Sequence, residues 1–358
     1  MGDPNLESEF RSSHTGQRPL ISIIIPTYKL ENYIIKCLDS VTRQEFRNIE
    51  IIAVDGGSDD QTCELLEKQM TDEPRLSVEL HGQRGPGQAR SMGVQQATGD
   101  YIWFVDGDDE ITEHCLTPIA ERLQAESPDV LVINHDVLDE GGSRQAGQDD
   151  DLIKRESAGT FAIADRPWLF DLSLVCWNKI VRRDFYLSSG TAFAEKWPHE
   201  DVPVSCDLLL SAERISVLNH VCYLYRRQRV GSATGSGKPD RHFTVFGTWR
   251  PVLERARDRG RSGGSSTPGP DTYQWLFRRA IWHCSTILDT PGYVTGGYRR
   301  MFFSQLSGLY QDYVPAGYRR PTGFRGVKFW LFAHRSYLVY KLLEPLNRRR
   351  VALTHRPT

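Results

Sequence analysis

Short apolar runs alternate with amphipathic segments through the first half of the chain. Runs rich in apolar residues lie at 22–25, 49–54, 75–80, 101–105 and 130–133. Turn-forming Pro, Gly or Asp residues follow several of them. Runs this short and this apolar predict strands that are buried on both faces of a sheet.

The segments between these runs have the features of helices. Apolar residues recur at helical spacing within 31–43, and 58–60 offers capping side chains for a second helix. Pro86 suits the first turn of a third helix. The alternation predicts an α/β fold, with a mostly parallel, Rossmann-like sheet flanked by helices. Ligands bind beyond the carboxyl ends of the strands in such sheets.

The pattern is less regular in the second half. Residues 138–152 predict a loop or exposed hairpin, 200–213 a helix, and 215–225 two strand-like pieces. The stretch 256–271 is rich in Gly, Ser and Pro, which is typical of a linker. The aromatic stretch 273–315 predicts helices.

Composition and charge narrow the class of protein. Hydrophobic residues make up 39% and charged residues 25% of the 358 residues, as in soluble globular proteins. A net charge of -2 gives no basic field for nucleic acid, so no nucleic-acid partner is expected. The seven cysteines form no C-x-x-C pair, which favours a reducing compartment over a disulfide framework or a zinc site.

Targeting features are absent from the pattern. No apolar run is long enough to span a bilayer, and the first 17 residues lack the apolar core of a signal peptide. We therefore expect a cytoplasmic protein whose residues 1–18 form a disordered leader.

Two acidic turns follow predicted strands and are candidates for chemistry. Asp106 and Asp108 flank a glycine after the run YIWFV, and paired carboxylates on a tight turn can share a cation that neutralises a diphosphate. Asp55 precedes two glycines after another run, where a carboxylate can accept hydrogen bonds from a nucleobase or a ribose. Either turn, taken alone, is equally an ordinary acidic turn or helix cap.

In order and spacing, the strand-end motifs together resemble glycosyltransferase family 2, a family of inverting enzymes with the GT-A fold. The motifs are IIIPTY, AVDGGSDD, GPGQARSMG and WFVDGDD, and the resemblance covers about 19–235. It implies transfer from a nucleotide diphosphate sugar, above all a UDP-sugar, with Mn²⁺ or Mg²⁺. By the same resemblance, Asp108 binds the metal and Asp106 supports it at the ribose side. The positions that would hold the nucleotide are Pro26, Thr27, Tyr28, Asp55 and Arg90.

Two positions depart from the family pattern. Gly56 replaces a common second Asp, and Ser91 replaces a common Asn after the Ala-Arg pair. Both leave the nucleotide base less defined than the fold. The segment 85–90 also begins like a dinucleotide fingerprint, but Arg90 stands at its third glycine position, which disfavours a dehydrogenase.

The second half resembles the acceptor side of the same family at 177–180 and at Glu200-Asp201. An inverting transfer needs a carboxylate that removes the acceptor proton, and we assign this role to Asp201 with Glu200 in support. The alternative is that both merely favour a helix N-terminus. Arg229 and Ser232, in a loop that also resembles the family, are expected to bind the diphosphate, with His242 as a further candidate.

The segment 318–350 mixes large apolar residues with Arg and Lys. Such a segment either packs on the catalytic domain or lies peripherally on the inner face of a membrane. The expected organisation is a GT-A domain at 19–235, a loop and linker at 236–272, and a C-terminal helical, basic amphipathic region at 273–358.

The acceptor is left open by the sequence. A cell-wall or exopolysaccharide glycan, a lipid-linked intermediate and a small secondary metabolite all supply a hydroxyl. A non-catalytic relative that only binds nucleotide sugars is a further alternative. The retained Asp106, Asp108 and Asp201 disfavour it.

Overall fold

The computed structural model describes residues 18–82, 85–139, 141–156, 158–193, 199–227, 239–262 and 269–344. Its strands within these ranges are β1 (Ile21–Thr27), β2 (Ile49–Asp55), β3 (Leu76–Leu80), β4 (Tyr101–Phe104), β5 (Glu110–Ile111), β6 (Val130–Leu138), β7 (Arg144–Ala146), β8 (Lys179–Arg182) and β9 (Ile215–Arg226).

The α-helices are α1 (Ile34–Thr42), α2 (Thr62–Asp72), α3 (Pro86–Gln96), α4 (Leu116–Glu126), α5 (Asp150–Ile153), α6 (Arg183–Ser188), α7 (Asp201–Ser211), α8 (Thr244–Ser262), α9 (Pro270–Asp289), α10 (Tyr298–Tyr313) and α11 (Gly323–Ala333). Two short 3-10 helices span Pro167–Asp171 and Pro239–Phe243, and residues 337–344 are helical as well.

One mixed sheet organises the described part of the chain. Its strand order is β3-β2-β1-β4-β8-β6-β9-β5, with β7 paired to β6. The strands β3, β2, β1 and β4 are parallel, β8 runs antiparallel to both β4 and β6, and β9 is parallel to β6. The predicted α/β class is therefore confirmed, and β1 lies centrally between the two other strands that bear acidic ends.

The first strand is buried on both faces, as its unbroken apolar run predicts. All seven residues of β1 are buried. Ile23 and Ile25 share a core with α1, whereas Ile24 belongs to a second core with α3. A Cβ on Gly93 would lie 2.4 Å from Cγ2 of Ile24, so α3 reaches the sheet through a glycine. Helices thus cover both faces and leave the strand ends open for a site.

The middle of the chain differs from the sequence pattern in detail. The predicted hairpin at 138–152 is present as β6–β7, but it continues into α5. The two strand-like pieces at 215–225 are one strand, β9, whose register against β6 shifts between Ile133 and His135. This irregularity accounts for the break in the apolar alternation.

The predicted linker is wrong as a description of residues 256–262. These residues continue α8, which begins at Thr244, and α9 begins at Pro270. Trp249, Val252 and Ala256 are buried on one face of α8, a pattern that the surrounding Arg and Gly residues mask in the sequence. The chain from 239 to 262 is thus part of the packed protein.

The C-terminal helix α11 is docked on the rest of the molecule. Phe329 and Phe332 are buried in the large core, and Lys328 forms a buried ion pair with Asp289 of α9. Packing is therefore the outcome for α11, while Arg348, Arg349 and Arg350 lie outside the described residues. Among the described helices, none is both long enough and apolar enough to cross a membrane.

The cysteines pack as small apolar residues do. All seven are free, and six of them are buried. Only Cys63 is partly exposed.

Candidate active site

The carboxyl ends of three parallel strands meet at one edge of the sheet. Thr27 at the end of β1 pairs with Asp55 at the end of β2, and the amide of Val105 donates to the carbonyl of Ile24. Asp106 therefore follows β4 next to the end of β1. The sequence predicted this convergence, because parallel strands present their carboxyl ends at the same edge.

Asp55 is buried and fully engaged by its own turn. Oδ1 accepts from the amides of Gly57 at 2.9 Å and Ser58 at 2.7 Å. Oδ2 accepts from Oγ1 of Thr27 at 2.9 Å and Oγ of Ser58 at 2.7 Å. Gly57 has a φ of 85°, which suits glycine. These four bonds fill the acceptor sites of a carboxylate, so a nucleobase would have to compete with Ser58 for Oδ2.

The acidic turn after β4 fits tightly against the end of β1. A Cβ on Gly107 would lie 2.7 Å from Cδ1 of Leu30 and 3.3 Å from the carbonyl oxygen of Pro26. A side chain at this position would force the Leu30 side chain or the turn itself to shift. The glycine between Asp106 and Asp108 thus sets the position of both carboxylates.

The strand β9 holds the same turn from the other side. The Tyr223 hydroxyl accepts from the amide of Asp106 at 3.0 Å and donates to Asp109 at 2.7 Å. Arg226 donates its amide to Asp109 at 2.7 Å and its Nε to the carbonyl of Asp108 at 2.9 Å, and it pairs with Glu110. Asp109 is therefore a structural residue. Sequence reasoning missed Tyr223, because an alternating strand pattern does not show which tyrosine will hydrogen-bond to a distant turn.

Arg90 joins the acidic turn to the N-terminus of α7. Its guanidinium is buried and lies 2.6 Å from Asp106, 3.2 Å from Glu200 and 3.3 Å from Asp201. The ring of Phe193 lies 5.4 Å from the same group. The sequence predicted that Arg90 would lie near the nucleotide, but its guanidinium is directed at these three carboxylates. It thereby brings the donor-side and acceptor-side candidates together.

Burial changes the electrostatics of the two carboxylates on α7. The pKa of Glu200 is raised to about 7, first by burial and then by the charge of Asp201. Burial also raises the pKa of Asp201, against the opposing effect of Arg90. The pair of acids, which shares one arginine, can therefore take up a proton near neutral pH, and general-base catalysis requires this property.

The segment 177–180 packs against Tyr223, which holds the acidic turn. Trp177 stacks on Tyr223, with ring centroids 4.4 Å apart, and accepts a hydrogen bond from Trp103 at its carbonyl. The buried ammonium of Lys179 donates to the carbonyl of Val175 at 2.9 Å and to Asn178 at 2.7 Å. Burial lowers the pKa of Lys179 to about 8. These contacts position neighbouring elements of the fold, and the expected role of 177–180 on the acceptor side stays a prediction.

The acidic turn offers carboxylate ligands for a hard divalent cation, and the substrate would supply further ligands. Asp106 and Asp108 flank Gly107, and within the described ranges no cluster of three or more His, Cys, Asp or Glu side chains forms a protein cage. Mg²⁺ commonly uses one or two carboxylates plus substrate phosphates and water. Burial and the charges of Asp108 and Asp106 raise the pKa of Asp109, a repulsion that a cation would relieve.

The remaining predicted residues lie in different surroundings. Tyr28 is largely exposed beside the strand ends, where a planar base could lie against it. His242 stacks on Tyr293 with ring centroids 4.5 Å apart, so its ring face is already occupied. Arg229 and Ser232 lie outside the described residues, and their predicted diphosphate contacts stay predictions.

The parallel strand ends, the acidic turn and the flanking helices define the class as a glycosyltransferase of the GT-A fold. The solved structure of residues 1–349 of TarS from Staphylococcus aureus in complex with UDP-GlcNAc has this fold, with a TM-score of 0.68 and 22% identity. The match covers 82% of this chain and 81% of that one.

Sequence comparison gives the family. The family model for glycosyl transferase family 2 matches residues 22–187. Glycosyltransferase GlyG of Streptococcus pneumoniae is 30% identical over 224 residues, which is 58% of this chain and 71% of GlyG. The chain belongs to glycosyl transferase family 2. It also matches TarS, a poly(ribitol-phosphate) β-N-acetylglucosaminyltransferase, at 30% identity, but spans 37% of that protein's length.

Proposed function

We propose that the chain transfers one hexose-type sugar from a UDP-sugar to an acceptor hydroxyl of a cell-wall or exopolysaccharide glycan. The observation that supports this most directly is the contact of Arg90 with both Asp106 and the Glu200-Asp201 pair. The contact brings a diphosphate-side group and a candidate base to one site. The relative TarS adds to the case, because it is named for transfer to poly(ribitol-phosphate) and has been solved with UDP-GlcNAc.

The proposed chemistry is a single displacement with inversion. Asp201 accepts the proton of the acceptor hydroxyl while that oxygen forms a bond to the anomeric carbon. The bond between the anomeric carbon and the diphosphate oxygen breaks, and the nucleoside diphosphate leaves. Glu200 supports the base by sharing Arg90 with it. Arg90 also offsets the negative charge that these three closely spaced carboxylates would otherwise impose on one another.

The donor side follows from the strand ends. Pro26, Thr27 and Tyr28 would line the nucleoside site, and Asp55 would exchange one of its turn bonds for a contact with the base or ribose. A Mn²⁺ or Mg²⁺ ion held by Asp108 and Asp106 would neutralise the leaving diphosphate. Arg229 and Ser232, which lie outside the described residues, would bind the diphosphate.

Replacing the candidate base tests the proposal. Asp201→Asn should reduce transfer by about 100-fold or more, because no carboxylate then accepts the acceptor proton. Donor binding should persist, as measured by thermal shift with UDP-, GDP-, dTDP- and CDP-sugars with and without Mn²⁺.

A matched control makes the same chemical change at an exposed carboxylate. Asp184→Asn in α6 should leave both transfer and donor binding unchanged, since its side chain is largely exposed. Turnover of Asp201→Asn near the wild-type rate would refute the assignment of the base. A wild-type protein that no nucleotide sugar stabilises would refute the proposed function itself.

A further inference from the structure

A groove with a volume of about 560 Å³ lies between α7, α8 and the segment 189–192. Glu200, Pro203 and Asp207 line it from the α7 side. These positions are three and seven residues apart, so they share one face of the helix. Seven residues of helix span about 10 Å, which makes the groove elongated. Its volume falls within the range of small-molecule sites, about 300–1,000 Å³.

The helix α8 forms the opposite wall of the groove. Thr244, Thr248 and Pro251 recur at helical spacing along it, and Gly247 leaves an open recess. A Cβ on Gly247 would meet no atom within 4 Å. Small and hydroxyl-bearing residues therefore form this part of the wall. The length of the wall comes from α8, part of which the sequence pattern predicts to be a linker.

Two contacts tie the helices together away from Glu200. Arg255 of α8 holds both carboxylate oxygens of Asp207, at 3.1 and 2.7 Å. One helical turn further along, Arg259 donates to the hydroxyl of Ser211 at 2.8 Å. These contacts fix the spacing of α7 and α8. The groove thus has one bridged end and one end at Glu200.

His199 stands at the Glu200 end in a strained conformation. Its φ of 75° is unusual for a residue with a side chain, and such strain clusters at functional sites. Its ring packs edge-on against His283, which accepts a hydrogen bond from Nε1 of Trp249 at 3.1 Å. Burial lowers the pKa of His199 to about 4, so the ring is neutral.

The His199 ring also has an unused hydrogen-bonding atom. Its buried Nε2 has no partner among the described residues, and His199 itself lines the groove. Buried polar atoms are nearly always satisfied, so an unpaired one requires an explanation. A ligand hydroxyl at this end of the groove would supply the partner.

We infer that this groove binds an unbranched polyhydroxylated chain, such as an oligosaccharide, beyond the unit whose hydroxyl is modified. Among the described lining residues, none is Leu, Ile, Met, Phe, Tyr or Trp. Its apolar surface comes from short side chains, two prolines and aliphatic stems, and it is intermixed with polar groups. Hydroxyls, guanidinium groups and carboxylates among such carbon surface match a glycan, which presents both hydroxyls and C–H faces, better than a lipid tail. The inference rests on the proposed function, since it takes Glu200-Asp201 as the acceptor-side carboxylates.

Calorimetric binding to the full chain, saturated with UDP, tests the inference. The probes are chitotetraose, maltotetraose and a glycerol phosphate tetramer, each against its single unit, together with octyl glucoside. At least one tetramer should bind about tenfold more tightly than its own unit. Thr248→Trp, which places an indole in the groove, should abolish that gain.

Thr286→Trp is the matched control, because Thr248 and Thr286 both donate to the carbonyl four residues earlier in a helix. It should retain the gain. Gly247→Leu provides a second obstruction without removing a side chain, should Thr248→Trp not fold. A gain that survives both obstructions, the absence of a gain for every tetramer, or tight binding of octyl glucoside instead would overturn the inference. A separate titration of UDP into the free chain reports the proposed donor site independently.

Discussion

At the scale of single residues, the site depends on one arginine shared by three carboxylates. Arg90 lies between Asp106, Glu200 and Asp201, and its side chain is almost entirely buried. An uncompensated buried charge costs several kcal/mol, so no one of these groups can be understood without the others. The sequence marked all four residues as candidates, and the family resemblance placed Arg90 near the nucleotide. Its contact with α7 could not be predicted, because Arg90 and α7 lie far apart in sequence.

The raised pKa of Glu200 predicts the pH dependence of transfer. With a pKa of about 7, Glu200 gains a proton as the pH falls from 8 to 6, and the loss of its charge makes the neighbouring base Asp201 weaker. We expect kcat/KM to fall as the pH drops through 7 in a buffered rate series.

The stability of the protein should change in the opposite sense. A carboxylic acid whose pKa is raised by folding stabilises the protein below its ordinary pKa of 4.5, and this contribution is lost as the pH rises through 7. Glu200→Gln should flatten this part of the stability curve. In the rate series, an acid limb of kcat/KM centred near pH 4 for the wild-type enzyme would contradict the raised pKa of Glu200.

At the scale of elements, strand ends and turns set the positions of the catalytic candidates. The turn after β4 is held between the end of β1, through Gly107, and β9, through Tyr223 and Arg226. The sequence predicted β1 and β4 from their apolar runs. It could not predict that β9, more than a hundred residues later, binds the same turn.

Gly107→Ala tests this packing. The added Cβ would lie 2.7 Å from Cδ1 of Leu30 and 3.3 Å from the carbonyl of Pro26, so either the buried Leu30 side chain or the turn must shift. We expect a loss of about 1–3 kcal/mol in the free energy of unfolding and weaker donor binding. Denaturant titration and donor thermal shift measure the two effects.

Gly297→Ala is the control, because a Cβ there meets nothing within 4 Å and the backbone φ is -63°. Its stability should be unchanged or slightly higher. If Gly107→Ala behaved like Gly297→Ala, the close approach of the turn to β1 would not matter for the site.

At the scale of the whole molecule, the C-terminal helices belong to the same core as the sheet. One cluster of buried residues includes Val54 of β2, Leu208 of α7 and Phe277 of α9. Arg278 of α9 pairs with Asp171 at 2.8 Å, which adds a polar contact to this interface. The predicted division into a catalytic domain, a linker and an extension stays a prediction, and these contacts show that its parts share one core.

A truncation tests this dependence. A chain that ends at residue 243 would lose α8 to α11 and expose the residues of α7 that pack on α8. Each large apolar side chain left exposed costs about 1.5–3 kcal/mol, and a few of these exhaust the usual 5–15 kcal/mol of stability. We expect no cooperative thermal transition in near-ultraviolet circular dichroism. A cooperative transition near the full-length Tm would show that residues 18–243 fold alone.

The sequence by itself determined the fold class, the strand ends and the identity of most candidate residues. Apolar runs and turn residues are local signals, and parallel strands bring their carboxyl ends to one edge, so Asp55 and Asp106 could be placed together in advance. Only the tertiary structure decided which groups touch. The contact of Arg90 with Asp201, the clamp by Tyr223 and the groove along α8 join segments far apart in sequence. Such contacts depend on packing, which local patterns do not encode.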